Sequence, residues 1–436
     1  MREHIREEIK KNIAMNKEQY LQLIKKLVSY DSKIINAGEY GEEKGIQDYL
    51  KVLFEQMGAE VDAFEPDNQT ISGYPGYNPY HKYEGRENVV ATFKGNGTGR
   101  SLLFNGHCDI VPADNADQWT NSPFECTLRN NKLYGRGTSD MKGGSAAAIL
   151  AIKLLQDIGF EFGGDIIFES VIDEEGGGNG TIACCDKGYH ADGVIIMEPT
   201  RMAIMPTNRG AFLAEFTVIG KPIHASMKGY GVNAIEKAFK LIDALKELET
   251  EWLLSKKHPL LSNPTINIGQ ISGGDGASVV PRECTVRFDV EFFPSEYDDN
   301  FNSVPVNPEL IKEEVENHIR RACDGDKWLS EHPVSINWYQ ETQCFETDMQ
   351  SEFLLSVQNT CEEVMGRVDI SGLPCGCDGA QLSKIGKMPV LIIGPGDLKQ
   401  AHTIDESMEL DKYYQAIEVY ANIIADWAGI TQKIGD

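Results

Sequence analysis

The sequence predicts an α/β protein with a mixed, mostly parallel sheet and an inserted α+β domain of ferredoxin-like order. Three observations carry that class. Short apolar strands alternate with helical stretches through residue 200. Several of those strands end in acidic or histidine residues, as at the carboxyl edge of an open parallel sheet. Beyond Thr207 the order becomes β-α-β-β-α-β, which is that of a ferredoxin-like unit. At 436 residues the chain is also long for one core. Two domains are expected: 1–207 with 343–436, and an insert over 208–342.

Asn16 can cap a helix whose Leu21, Ile24, Leu27 and Val28 share one face. A second helix over 42–57 stops at Gly58, and 59–64 reads as a strand. Residues 65–86 are rich in Pro, Gly and Tyr and read as a long surface loop. Strands at 88–93 and 101–105 flank the glycine-rich turn 94–99 and read as a hairpin. That turn precedes a strand rather than a helix, which argues against phosphate binding. A helix over 145–156 and strands at 165–171 and 193–197 follow. The insert begins after Met205-Pro206, with strands at 211–219, 265–271, 283–292 and 334–338 and helices at 233–248 and 308–322. It closes at Glu341-Thr342-Gln343. A helix at 349–365, a strand at 389–393 and a helix at 409–427 complete the first domain.

With 41 basic and 67 acidic residues, the formal charge of -26 argues against nucleic acid, whose binders need basic patches. A solvated acidic surface is the commoner cause, though metal or cationic ligands also fit. Residues 1–11 are too charged for a secretory signal, and no apolar run approaches the roughly 20 residues of a membrane span. The ten cysteines are therefore expected reduced and mostly buried, in a cytoplasmic protein without membrane partners. Cys184-Cys185 and Cys375-Gly376-Cys377 lack the paired spacing of a structural zinc site.

The chemistry concentrates at strand ends. Leu102-Leu103-Phe104 is followed by His107 and Asp109, two apart and so on one side of an extended chain. Asp109 is a candidate partner for the second ring nitrogen of a metal-bound His107. Asp140 lies in a glycine-rich turn before a helix. A buried, satisfied His and a capping Asp would explain these residues alone. Glu174, Glu175, Glu198 and His402 then follow later strands. Two imidazoles and several carboxylates in one cleft repel unless a cation compensates. The mixed nitrogen and oxygen set suits zinc, with cobalt or manganese as alternatives.

The longer string, from Asn105-Gly106-His107-Cys108-Asp109 to Gly135-Arg136-Gly137-Thr138-Ser139-Asp140-Met141-Lys142-Gly143-Gly144, resembles the signature of the M20 family of dinuclear metallohydrolases. That family includes acetylornithine deacetylase, succinyl-diaminopimelate desuccinylase, aminoacylase and carboxypeptidase G. The resemblance covers nearly the whole chain, with the motifs in the family's order. It implies a catalytic domain of di-zinc aminopeptidase type, an inserted lid and dimerisation domain, a homodimer, and two divalent cations per chain. His107 and Glu198 then match the ligands of one cation, and Glu175 and His402 those of the other. Asp140 matches the bridging carboxylate, with a cis peptide expected at Asp140-Met141. Glu174 matches the general base.

His224, by itself an unremarkable loop residue, matches the lid histidine that reaches the neighbouring subunit's site. The chain departs from many relatives at Ser278, where they have Asn, and at Glu291, where an Arg grips the substrate carboxylate. Arg209 and Arg282 could compensate, and Asp378-Gly379 resembles a substrate loop able to hold an amine. The implied activity is hydrolysis of a small N-acyl amide. Acetylornithine deacetylase is favoured, with desuccinylation, deformylation of an aminopyrimidine or dipeptide hydrolysis as alternatives. Glu174 counts against a metal-binding protein without catalysis, which needs no base. The lack of Gly-x-Gly-x-x-Gly after the first strand counts against a dinucleotide-binding oxidoreductase.

Overall fold

The computed structural model describes residues 2–114 and 116–432. The chain divides into two compact units. The first holds residues up to Thr207, Thr347–Leu373 and the chain from Cys377 onward; the second holds Asn208–Glu346 and Pro374–Gly376. Residues 343–346 and 374–376 thus group with the second unit, beyond the border expected at 342. In chain order the principal strands are β1 (Glu60–Phe64), β2 (Asn88–Phe93), β3 (Leu102–His107), β4 (Ile166–Val171), β5 (Val194–Ile196), β6 (Gly210–Ile219), β7 (Ile266–Gly273), β8 (Glu283–Phe292), β9 (Ile336–Thr342) and β10 (Val390–Ile392).

In the first unit, six strands lie in the order β10-β5-β3-β4-β2-β1. The four from β10 to β4 pair in parallel, and β2 and β1 join antiparallel. All residues of β3 and β4 are buried, which fits the apolar runs 102–104 and 166–168 that open them. The expected hairpin over 88–105 is not formed, because β4 lies between β2 and β3. A strand buried on both faces and central in a sheet needs a partner on each edge, and β4 supplies one by a longer-range pairing. The 94–99 turn instead bonds back to Phe162 and Gly163 through the amides of Asn96 and Gly97.

The Ala-rich helix Lys142–Asp157 packs on β3 and against the helices Arg2–Val28 and Leu410–Ile423. The first of these begins well before the cap expected at Asn16. Its charged opening buries Ile5, Ile9 and Ile13, one residue per turn, and Asn16 marks a break within it, with φ -112° and ψ 15°. Residues 65–86 contain a short helix, Asn68–Ile71, and bury His81, Tyr83 and Arg86, so the segment is not a surface loop throughout.

In the second unit, strands lie in the order β7-β8-β6-β9, all antiparallel. Taken in chain order this is the 2-3-1-4 arrangement of a ferredoxin-like sheet. β6 and β8 alternate buried and accessible positions, as a sheet covered on one face requires. The helices Ala234–Ser255 and Pro308–Asp324 supply the cover, with Leu241, Leu245, Val315 and Ile319 meeting Phe212, Phe216 and Phe288 in one core. Asn233 and Asn307 cap them by accepting from the amides of Glu236 and Glu309. Among the described residues, no helix is long and apolar enough to cross a membrane.

Candidate metal centre

β3, β4, β5 and β10 run parallel and side by side, so their carboxyl ends share one edge. His107 is the last residue of β3, Glu174 and Glu175 follow β4, Glu198 follows β5, and His402 follows β10. Asp140 enters from the turn before Lys142–Asp157. That helix starts so close to the end of β5 that a Cβ on Gly144 would sit 2.4 Å from the carbonyl oxygen of Met197. Only glycine fits there. The peptide Asp140-Met141 is cis, as expected.

The structure brings all six predicted residues together. His107 Nε2 lies 3.2 Å from Asp140 Oδ1, 3.6 Å from Glu198 Oε1 and 4.0 Å from Glu174 Oε2. His402 Nε2 lies 3.4 Å from Asp140 Oδ2 and 3.0 Å from Glu175 Oε2. Asp140 therefore turns one oxygen to each imidazole. Donor atoms of His107, Glu174 and Glu198, and of His107, Asp140 and Glu175, fall within 4.8 Å of one another.

Asp109 behaves differently from the expectation. His107 Nδ1 lies 2.9 Å from the backbone oxygen of Asp109 and 3.8 Å from its Oδ1. The chain leaves the sheet after His107, so the Asp109 carbonyl, not the carboxylate, meets the ring. The carboxylate instead accepts from the amides of Glu175, at 3.1 Å, and Glu174, at 3.4 Å. It anchors the turn that carries both glutamates.

Sequence reasoning missed a second anchor. Asp173 holds a left-handed φ of 67°, and its Oδ2 lies 2.8 Å from His81 Nδ1 and 2.7 Å from the Tyr83 hydroxyl that donates to it. Arg86 donates to Glu43 and, at 3.1 Å, to the carbonyl of Gly38. The signal in the sequence is the donor-rich string His81-Lys82-Tyr83-Glu84-Gly85-Arg86 at the end of the 65–86 segment.

The electrostatics are those of a site short of positive charge. Burial, then the charge of Glu198 and other neighbouring carboxylates, pushes Glu174 well above the usual carboxylate range. Burial and then the Asp140 charge do the same to Glu198. Hydrogen bonds to Asp140 and Glu175 raise His402 to about 10. Burial pushes Asp140 upward, but hydrogen bonds from both imidazoles win and hold it below its ordinary value. The ion-pair partners of these carboxylates are imidazoles, not Lys or Arg. Two imidazoles among four carboxylates is a donor set that fits divalent cations of the zinc type.

The remaining candidates divide between the units. Asp378, in the first, is buried and accepts from the Thr181 hydroxyl at 2.6 Å; burial pushes it up to about 6. Gly379 opens the short helix Gly379–Lys384. In the second unit, the buried Arg209 guanidinium donates to Glu291 and to Ser262, so these two predicted residues are joined to each other. Arg282 is largely exposed beside Asp275, and Ser278 accepts through its carbonyl from the amide of Ala225. His224 is exposed, and its Nδ1 accepts from the amide of Ser226 at 3.2 Å.

Comparison with known proteins matches residues 103–426 to the model of peptidase family M20/M25/M40. The chain is 30% identical over 446 residues to an N-formyl-4-amino-5-aminomethyl-2-methylpyrimidine deformylase of Halalkalibacterium halodurans, covering 97% of each. It is 28% identical over 411 residues to a probable succinyl-diaminopimelate desuccinylase of Staphylococcus aureus, covering 88% of this chain and 92% of that one. Among solved structures, a tripeptidase of Staphylococcus aureus superposes with a TM-score of 0.72 at 21% identity, over 95% of this chain and 99% of that one. A Bacillus subtilis protein described as a dinuclear metal-binding peptidase of the M20 family gives 0.62 at 16% identity, over 93% and 97%. The relatives named here are a deformylase and a desuccinylase rather than an acetylornithine deacetylase. The likeness runs the length of the chain, and this protein therefore belongs to peptidase family M20/M25/M40 as a metal-dependent amidohydrolase.

Proposed function

We propose that the enzyme removes a formyl group from an aminomethyl substituent on a heteroaromatic ring, as the name of its deformylase relatives describes. The observation that carries this choice is the Arg209–Glu291 pair. Where many family members present an Arg to a substrate carboxylate, this chain has Glu291, and Glu291 occupies Arg209 as well. A succinyl-diaminopimelate or an acetylornithine carries carboxylates that need such a grip. A formylated aminomethylpyrimidine carries none, and its amine product suits an acidic site.

His107 and Glu198 would hold one divalent cation and Glu175 and His402 the other, with Asp140 between; zinc is favoured over cobalt or manganese. When bound, the cations polarise the amide carbonyl and make a water acidic. Glu174 takes the proton of the attacking water and passes it to the departing nitrogen. A C–O bond forms, the C–N bond breaks, and formate and the free amine leave. Asp109 keeps the Glu174-Glu175 turn in register, and Asp378-Gly379 lies on the loop suited to a ring amine. Ser278 and Arg282, in the second unit, remain candidates for substrate binding.

His224 would complete the partner subunit's site in a homodimer formed through the second unit. Because its Nδ1 accepts from Ser226, the neutral ring carries its proton on Nε2, free to donate to a developing oxyanion. The ten free cysteines suit a reducing, cytoplasmic setting.

The test is a panel of N-formyl aminomethylpyrimidine, N-succinyl-diaminopimelate and N-acetylornithine, assayed with zinc- and cobalt-loaded protein. The formyl substrate should give the highest kcat/KM, and chelation should abolish turnover. A faster succinyl or acetyl substrate would overturn the substrate assignment. Full activity after chelation would overturn the mechanism.

A further inference from the structure

Glu406 has no place in the chemistry above, yet it is fully buried beside the site. Its Oε2 accepts from Arg136 Nη1 at 2.8 Å and from the amide of Gly137 at 3.1 Å. Its Oε1 accepts from the amides of Ser139, at 2.8 Å, and Asp140, at 3.1 Å. Its backbone oxygen accepts from the amide of Gly135 at 2.9 Å. One carboxylate thus gathers the Arg136 side chain and three amides of the turn that ends in Asp140, and it stands four residues after His402 in the chain. Arg136 Nη1 also donates to the carbonyl of Thr403, at 3.3 Å. A second tie joins the same two segments, for Ser139 Oγ donates to the carbonyl of Asp397 at 3.0 Å and accepts from its amide at 2.8 Å.

We propose that Glu406 is a positioning residue that sets the spacing of Asp140 and His402, and with it the second of the two cation positions. The proposal rests on the two-cation reading given above. The two imidazoles differ in what holds them. His107 ends a buried strand and its side chain is 1% exposed; the His402 side chain is 52% exposed, on a loop with φ 60° and no sheet partner at that residue. β3 keeps His107 in place whatever happens to the 136–140 turn. His402 relies on the Glu406 and Ser139 ties to stay opposite Asp140 Oδ2. A carboxylate that orients ligand-bearing backbone is worth roughly 10–100-fold in metal affinity.

The test is a Co(II) titration of metal-free wild type, Glu406→Gln and Ser139→Ala, followed by calorimetry and visible absorption, with thermal unfolding of each metal-free protein. Wild type should take two Co(II). Glu406→Gln should keep the first and bind the second roughly 10–100-fold more weakly, with an altered absorption band for the second ion. Ser139→Ala, the milder variant, should shift the second affinity in the same direction by less, and it serves alone if Glu406→Gln does not fold. Folded variants that bind both ions with wild-type affinities and spectra would overturn the proposal while leaving the two-cation reading intact. A wild type that takes only one Co(II) would overturn that reading and the proposal with it.

Discussion

Asp326 in the second unit and Glu198 in the first are both buried carboxylates, 4% and 7% exposed. Asp326 accepts from Lys237 at 2.6 Å, from Lys240, and from the amides of Trp328 and Leu329 at 3.0 and 3.1 Å. Every oxygen has its donors, and although burial pushes the group up, these partners hold it below the usual range. Glu198 has a share of one imidazole, 3.6 Å away, and Asp140 and Glu174 crowd the same ring. Burial and the Asp140 charge drive it well above the usual range. A carboxylate that serves the fold is paired within the chain. Carboxylates left short of positive charge are kept for something the chain does not supply. His258 and Tyr297 on Glu346, at 3.1 and 2.7 Å, repeat the paired pattern in the second unit.

Removing the base should give the largest effect. Glu174→Gln keeps the shape of the side chain but cannot take a proton. Turnover should fall roughly 10²–10⁴-fold, with two metal ions per chain still found by elemental analysis. A loss of tenfold or less would put Glu174 among the charge-balancing groups and move the base elsewhere. Equal metal content in Glu175→Ala, with activity lost only there, would mean that the two glutamates exchange roles.

His224 carries the comparison across units. Loss of one oxyanion donor costs on the order of 10²–10³ in turnover, so His224→Ala should lower kcat more than it raises KM. Mixing inactive His224→Ala chains with inactive Glu174→Ala chains decides whose site it serves. A cross-subunit donor leaves one intact site in each mixed dimer, and activity returns. Confirmed exchange of subunits without recovered activity would rule that role out.

Most ligand residues were legible because they follow apolar runs, and a parallel sheet gathers such ends at one edge; Asp140, in its glycine-rich turn, was legible only through the longer string that resembles the family. The strands of the second unit were legible from their alternation. What the sequence hid depends on contacts between distant segments. The turn at 94–99 has hairpin composition, and only the pairing of β4 between β2 and β3 decides against it. Ile5, Ile9 and Ile13 sit among so many charges that helix burial there was masked. Arg86 and Glu406 look like surface charges until Glu43 and Arg136 are brought to them. Asp109 adjoins the site as expected, but its backbone oxygen rather than its carboxylate meets the His107 ring, which only the path of the chain after β3 decides.

The smallest effect is the most direct test of the contrast, because the two carboxylates should respond with opposite sign. Asp326 has a lowered folded-state pKa, so its contribution is present above the ordinary carboxylate range and is lost as pH falls through that range toward the folded value. Asp326→Asn keeps a cap of similar size but leaves Lys237 and Lys240 uncompensated, and should cost about 1–3 kcal/mol near neutral pH. The difference from wild type should shrink on acidification, as the wild-type Asp326 itself becomes protonated. Glu198 has a raised folded-state pKa, so in metal-free protein its ionised form opposes folding at neutral pH, and that opposition fades below the ordinary carboxylate range. Glu198→Gln should therefore raise the unfolding midpoint of metal-free protein at neutral pH and leave it near wild type in acid. Denaturant unfolding of both variants after chelation, at neutral and acid pH, reads the two signs side by side. If both substitutions destabilise the metal-free protein equally, the crowding around His107 is satisfied within the chain, and the distinction between paired and reserved carboxylates fails.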